Sequence, residues 1–264
     1  MRLDQYISQK FNHSRTKAQQ LIEAGFVLVN KNQISKVSYD IKDTDEVEIV
    51  EEFKYASLGG DKLAKAFKDF NYSVNDKICI DIGASNGGFT DCMLQNGAQK
   101  VYALDVGECA FSDELKNNPK VFIRDRLNAR YVTVNDIGEE CDFASIDVSF
   151  ISLTYILENV SHLLKQNGEI IALIKPQFEV GKKYLTKRGI VNSKSAVNDV
   201  IENIKSYSQS INLEPISLTT APIKPNKNVE YLILLKKRFW QIAQFSSIID
   251  VERARFYNYE KITS

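Results

Sequence analysis

Ile78-Cys79-Ile80-Asp81-Ile82-Gly83-Ala84-Ser85-Asn86-Gly87-Gly88-Phe89-Thr90 is the stretch on which the fold turns. Ile78 to Asp81 is a short apolar run ending in an acid and reads as a strand. The glycines then make a turn, and a helix follows through Asp91-Cys92-Met93-Leu94. The same alternation continues outward. An amphipathic helix over Lys62 to Phe70 precedes the stretch, and strands over Val101 to Asp105, Val121 to Ile123, Phe143 to Asp147 and Glu169 to Ile174 follow it. Helices over Leu153 to Leu164 and Val197 to Ser208 lie between the later strands, and Glu214 to Thr219 and Tyr231 to Leu235 read as the last two. Strands alternating with helices predict an α/β domain, a mostly parallel, doubly wound sheet of Rossmann-like type.

The first residues follow another pattern. Ser14 can cap a helix from Arg15 to Ala24 that Gly25 ends, Phe26 to Asn30 reads as a strand, and Val47 to Val50 as another. The sequence therefore divides into a small α+β unit at 1–52, a linker at 53–57, an α/β body at 58–238 and a tail at 239–264 without a clear pattern. Over the 264 residues Lys+Arg and Asp+Glu both number 34, so net charge points to no partner. Its distribution says more: Met1 to Lys36 carries six basic residues against two acids, which suits either a phosphate-binding surface or a solvated helix face. Four cysteines without a CxxC pair and only two histidines disfavour a zinc site and suit buried thiols in a reducing compartment. No apolar segment approaches the ~18 residues of a membrane span, and no signal core is visible. The expectation is a soluble, cytoplasmic protein that holds no metal and contacts no membrane; oligomeric state is not legible.

In a doubly wound sheet, ligands sit where strand ends open onto a crevice. Asp81 ends the first strand, and Gly83, Gly87 and Gly88 let a ligand approach main-chain N–H groups. Asp105, twenty-four residues after Asp81, ends the second strand, where a carboxylate can accept from both hydroxyls of a ribose. Neither GxGxxG nor GxxxxGK[ST] is present. An acid, a glycine loop and a second-strand acid suit a nucleoside without phosphates, a description that S-adenosylmethionine meets. Without Asp105, glycines that merely close a tight turn would explain the loop as well.

The run Asp81 to Asp91 resembles the cofactor loop of TlyA-type, hemolysin A-like ribosomal RNA methyltransferases, relatives of the FtsJ-like 2′-O-methyltransferases. Further matching stretches are Val101 to Gly107, Asn128 to Tyr131, Asp147 to Leu153 and Lys175 to Glu179. The resemblance implies that Ser85, Gly87 and Phe89 belong to the cofactor loop, that Asp105 holds the ribose, and that Asp125 stands where the family has a glutamate reaching the adenine. Three stretches depart from the family: Ser57-Leu58-Gly59-Gly60 lacks an arginine, Glu108-Cys109-Ala110 replaces Tyr-Gly-Gln, and Lys224 to Asn228 is not glycine-rich.

Methyl transfer to an alcohol is an in-line displacement in which the nucleophile is the difficulty, since a hydroxyl is barely ionised near neutral pH. A lysine can take the proton if burial or neighbouring cations lower its pKa from about 10.4. Asp147 and Lys175 follow apolar strands, Glu230 precedes one, and Lys62 lies on the helix before the cofactor strand. Singly, such charges are usually solvated; in this order they match the Lys-Asp-Lys-Glu tetrad of FtsJ-like enzymes. Lys175 is assigned the 2′-OH proton, Asp147 its orientation, and Lys62 and Glu230 the surrounding field.

The first unit is similar to the αL-type RNA-binding domain of a ribosomal small-subunit protein and of pseudouridine synthases. Arg2, Arg15, Lys17 and Lys31 are the candidate phosphate contacts, by shape and backbone more than by base edges. The expected partner is ribosomal RNA or a ribosomal subunit. Two other classes are a non-catalytic assembly factor and a membrane-lytic hemolysin. A filled tetrad speaks against the first, and the lack of an amphipathic membrane helix against the second. A base methyltransferase would carry Asn/Asp-Pro-Pro-Tyr or a catalytic cysteine motif, and neither is evident.

Overall fold

A computed structural model describes residues 1–51, 53–223 and 227–238. The tail at 239–264 and Lys224 to Asn226, one of the departures above, lie outside the described residues. The N-terminal unit consists of α1 (Leu3–Lys10), α2 (Arg15–Glu23) and a three-stranded antiparallel sheet of β1 (Val27–Val29), β2 (Asn32–Gln33) and β3 (Val47–Ile49), with β1 central. Leu3, Ile7, Ala18, Leu21, Ile22, Val27 and Val47 form its core. The Ser14 side chain accepts from the Lys17 N–H as the N-cap of α2. α1 has no clear signal in the sequence: only Leu3 and Ile7 mark its apolar face, too few for a local pattern.

The second unit runs α3 (Gly59–Asp69), β4 (Ile78–Ile82), α4 (Gly88–Gln95), β5 (Lys100–Leu104), α5 (Asp113–Lys116), β6 (Val121–Arg124), α6 (Val134–Ile137) and β7 (Cys141–Ile146). It continues with α7 (Leu157–His162), β8 (Leu164–Ile174), α8 (Pro176–Glu179), α9 (Lys194–Ser210), β9 (Leu213–Thr220) and β10 (Tyr231–Lys237). The seven-stranded sheet has the order β6-β5-β4-β7-β8-β10-β9. β4 to β8 pair in parallel, while β10 is antiparallel to both β8 and β9. Both faces are covered, so the central strands are apolar throughout. Ile170, Ala172, Ile174, Ile233 and Leu235 pack into one core, and Ile171, Leu173, Leu232 and Leu234 into the other, beneath α3 and α4.

One expected element divides. Leu153 to Leu164 reads as a single helix, but Ser152 caps a 3-10 turn at Leu153–Tyr155, α7 follows, and Leu164 already belongs to β8. The Glu179 carboxylate accepts from the Leu153 N–H at 2.9 Å and fixes that turn from twenty-six residues away. All four cysteines are buried free thiols. Among the described residues no helix is long and apolar enough to cross a membrane.

Candidate active site

The parallel strands deliver their C-terminal ends to one edge. Asp105 directly follows β5, Asp147 follows β7 and Lys175 follows β8. β10 runs the opposite way, so its first residue lies at that same edge: Tyr231 pairs with Ile174, which sets Glu230 beside Lys175 in the ladder. Lys62 reaches the edge from the first turns of α3.

The β4–α4 loop threads between these side chains. Gly83 has φ +84°, and a Cβ there would run into the Asp147 carbonyl oxygen, so only glycine lets the loop cross β7 so closely. The Asp147 N–H donates back to the Ile82 carbonyl at 3.0 Å. Gly87 (φ +81°) leaves room for Leu115 rather than for a ligand, and Gly88 lets the start of α4 meet Ser57 and Gly60. Ser85, at φ +48°, donates its N–H to Asp105 Oδ2 at 2.9 Å, and Gly107 donates to Asp105 Oδ1 at 2.8 Å. Each carboxylate oxygen keeps a further acceptor site, the capacity a pair of ribose hydroxyls needs.

Two cavities meet at this loop. One, of about 440 Å³, is mostly apolar and runs past Ser85, Asp105, Leu127, Ala129, Val148 and Ile156. The other, of about 360 Å³, is polar and contains Lys62, Asn86, Phe89, Asp147, Ser149 and Lys175, with Gln20 and Glu23 of α2 at its rim. Gly83, Ser85, Asp147 and Ser149 line both. An apolar pocket with a ribose-competent carboxylate, opening into a charged crevice, fits a nucleoside whose reactive end lies toward the charges.

The charges interlock. Lys62 Nζ lies 2.7 Å from Glu230 Oε2 and 3.8 Å from Asp147 Oδ2, while Lys175 Nζ lies 2.5 Å from Asp147 Oδ1 and donates to Ser149 Oγ at 3.0 Å. These four side chains are 12–20% exposed, so the cluster is shielded but open on one side. Burial works against the Lys62 charge, but Asp147 and Glu230 outweigh it and raise its pKa. Lys62 is therefore a fixed cation. Lys175 faces one carboxylate and a neutral hydroxyl.

Other expected site residues stand elsewhere. Asp81 lines neither cavity: it is fully buried, accepting from Thr90 Oγ1 at 2.7 Å and Ser145 Oγ at 2.9 Å. It ties the loop to α4 and β7 from below because it lies within β4, on the α4 side of the sheet. Burial pushes its pKa up to about 7 against the two hydroxyl bonds. Asp125 also lies outside both cavities; its Oδ1 accepts from the Cys109 N–H at 2.7 Å, joining it to the departing Glu108-Cys109-Ala110 segment. Leu58 stands at the rim of the charged crevice, where the family has arginine.

In the N-terminal unit, Arg2 and Arg15 converge on Asp4. Arg2 Nε lies 3.0 Å from Asp4 Oδ1, and Arg15 Nε and Gln19 Nε2 each lie 3.0 Å from Asp4 Oδ2. The carboxylate is fully buried beneath half-exposed arginines. The Arg2 bond, with those from Gln19 and Arg15, outweighs burial and holds the Asp4 carboxyl well below the usual range. Lys31 (φ +64°) projects from the β1–β2 turn. Lys17 instead lines a polar cleft between the two units, opposite Asp113 and Glu114.

Ser149 and Phe150 were not singled out from sequence. Ser149 is two residues past Asp147 and so returns to the same side; that spacing was the available signal. Phe150 is 90% exposed with φ +65° and leans on Phe178, ring centroids 4.8 Å apart, at the mouth of the apolar cavity.

The FtsJ-like methyltransferase family matches residues 55–238, and the S4 domain matches residues 1–47. Hemolysin A of Brachyspira hyodysenteriae is 41% identical over 235 residues, 88% of this chain and 98% of that protein. The 16S/23S rRNA (cytidine-2′-O)-methyltransferase TlyA of Mycobacterium tuberculosis is 34% identical over 226 residues, 84% of each chain. Among solved structures, a Streptococcus thermophilus protein described as a hemolysin superposes with TM-score 0.73 at 35% identity, covering 99% of this chain and 98% of that one. With the loop, the paired cavities and the interlocked charges in place, these matches make the chain a member of the FtsJ-like methyltransferase family, in its hemolysin A/TlyA branch with an S4 domain at the N-terminus.

Proposed function

We propose that the crevice transfers a methyl group from S-adenosylmethionine to a ribose 2′-hydroxyl of ribosomal RNA. The observation that carries this reading is the Lys62–Glu230, Lys62–Asp147 and Lys175–Asp147 chain of contacts at the open end of the cofactor cavity. When bound, S-adenosylmethionine supplies an electrophilic methyl on a sulfonium that leaves readily. What remains for the protein is to orient the hydroxyl and take its proton.

The residues divide that work. Asp105 and Ser85 hold the nucleoside in the apolar cavity. Lys62, pinned between two carboxylates, stays charged and sets the field. Lys175, with one carboxylate and the Ser149 hydroxyl as neighbours, would in its neutral amine form accept the 2′-OH proton at Nζ. Asp147 bridges both lysines and keeps Nζ of Lys175 aimed; Glu230 neutralises Lys62. The exposed Phe150 ring offers a flat face on which the base of the target nucleotide stacks. The S4 unit holds the RNA through Arg2, Arg15 and Lys31, and the substrate is ribosomal RNA, free or in a ribosomal subunit. Mapping ribose methylation in ribosomal RNA with and without this protein tests the reading. A protein-dependent 2′-O-methyl at one or more sites is expected, and no difference at any 2′ position would overturn it.

A further inference from the structure

The basic residues of the catalytic unit fall into two populations. Along most of it they are compensated: Lys77 by Glu169, Lys100 by Glu139, Lys165 by Asp142, and Lys205 by Glu202. Gly181 to Lys194 is different. It contains Lys182, Lys183, Lys187, Arg188 and Lys194 and no acid, and all five are exposed. Among the described residues none of them pairs with a carboxylate; Lys183 only lies over the ring of its neighbour Tyr184, at 4.8 Å. Like charges crowded together repel, which destabilises the bare protein and favours a polyanion.

The segment is also built rather than loose. Leu185 bridges Val191, the Thr186 N–H donates to the Ile190 carbonyl at 2.9 Å, and Gly189 (φ +74°) makes the turn. Asn228 clamps this hairpin, donating to the Gly189 carbonyl at 2.9 Å and accepting from the Val191 N–H at 2.8 Å. Asn228 lies two residues before Glu230, and Lys182 lies seven residues after Lys175. The cations therefore flank the strand ends that carry two of the four crevice charges. Exposed Lys227, next to Asn228, adds a sixth.

We propose that the basic hairpin Gly181–Lys194, with Lys227, is a second RNA-binding surface that grips the phosphate backbone beside the target nucleotide. This rests on the RNA methyltransferase reading above. The S4 unit anchors the RNA at a distance, whereas in-line attack needs the target ribose fixed to within a fraction of an ångström. Lysine ammonium groups and the Arg188 fork suit phosphates and carry no base code.

The test compares the full chain with the variant Lys182→Gln/Lys183→Gln/Lys187→Gln/Arg188→Gln in binding protein-free 23S rRNA across a salt series. Loss of four phosphate contacts should lower the slope of log Kd against log[salt] by about 3 and weaken binding at least ~10-fold. The KM for RNA should rise in parallel while the Kd for S-adenosylmethionine and the Tm stay constant. An unchanged slope overturns the proposal. So does a variant that loses binding to phosphatidylserine vesicles but keeps its rRNA affinity, which would assign the hairpin to a membrane surface. Should the fourfold variant fail to fold, Lys187→Gln/Arg188→Gln at the tip should still lower the slope by about 1.5. If the parent chain binds rRNA with the full slope but methylates none of it, the proposed reaction fails while the surface stands.

Discussion

The S4 unit and the cofactor loop are each organised around one fully buried aspartate, and the two aspartates are shifted in opposite directions. Asp4 receives Arg2, Arg15 and Gln19 and is held ionised; Asp81 receives only the hydroxyls of Thr90 and Ser145, and burial raises it to about 7. Neither carboxylate reaches solvent, but Asp4 lies just beneath half-exposed arginines while Asp81 lies in the interior between sheet and helix, so partners and depth act together. The head uses a buried anion to fix cations that face outward, where a polyanion can meet them. The loop uses an acid near neutrality to brace the backbone that lines the cofactor cavity, and the ion-paired side chains lie in the crevice one strand end away. RNA holding and methyl transfer are thereby separable, and each prediction below acts on one side.

The largest effect belongs to the crevice. Lys175→Met should lower kcat by about 10³-fold, within the ~10²–10⁴ range of proton-transfer catalysis, with no change in S-adenosylmethionine affinity by calorimetry. Retention of near-parent turnover would remove Lys175 from its role. On the head, Arg2→Gln/Arg15→Gln should weaken rRNA binding by roughly 10–100-fold and lower the salt slope by about 1.5, leaving cofactor affinity alone. Asp4→Asn should act more mildly, about 10-fold on RNA affinity, since both guanidiniums remain but lose their common anchor. An effect of Asp4→Asn on cofactor affinity would contradict the separation.

The smallest effect is in stability against pH, with opposite signs for the two acids. Asp4, depressed when folded, contributes stability that is present above the usual carboxylate value near ~3.9 and is lost as pH falls below it. Asp81 retains its proton in the folded state up to about 7. The folded form therefore binds more protons than the unfolded one between about 4 and 7, and stability declines as pH rises through that window. In Tm against pH, Asp4→Asn should flatten the acid side and Asp81→Asn the decline toward neutrality, each by a few degrees, at ~2–4 °C per kcal/mol.

The contrast between these acids also marks what the sequence could express. Asp81 and Asp105 both end apolar runs and look alike in one dimension. Asp81 is the penultimate residue of β4 and points between sheet and helix, while Asp105 lies just past β5 and opens to the cavity. Asp81 pairs with Ala103 in the β4–β5 register, so Asp105 lies two positions further along, past the end of the sheet where the cavity opens, and strand ends are not fixed by local pattern. The apolar runs that define the parallel sheet were legible because both faces are buried. The division of Leu153 to Leu164 was not, because Glu179 imposes it from a distant element. Lys62, Asp147, Lys175 and Glu230 were found by order and resemblance, and the β8–β10 register explains why residues so far apart in sequence meet. Lys17, on the same helix as Arg15, faces the inter-unit cleft, which a helix start alone does not reveal.

The central claim is that the acceptor is a ribose hydroxyl. A 2′-O-methyl group blocks attack on the adjacent phosphodiester, so alkali cannot cleave at that position. The chain should therefore be incubated with S-adenosylmethionine labelled in its methyl group and with ribosomal RNA or subunits, and the RNA then hydrolysed in alkali. Label recovered in alkali-resistant dinucleotides, and absent with Lys175→Met, is the predicted result. Label released in mononucleotides would place the methyl on a base and contradict the account.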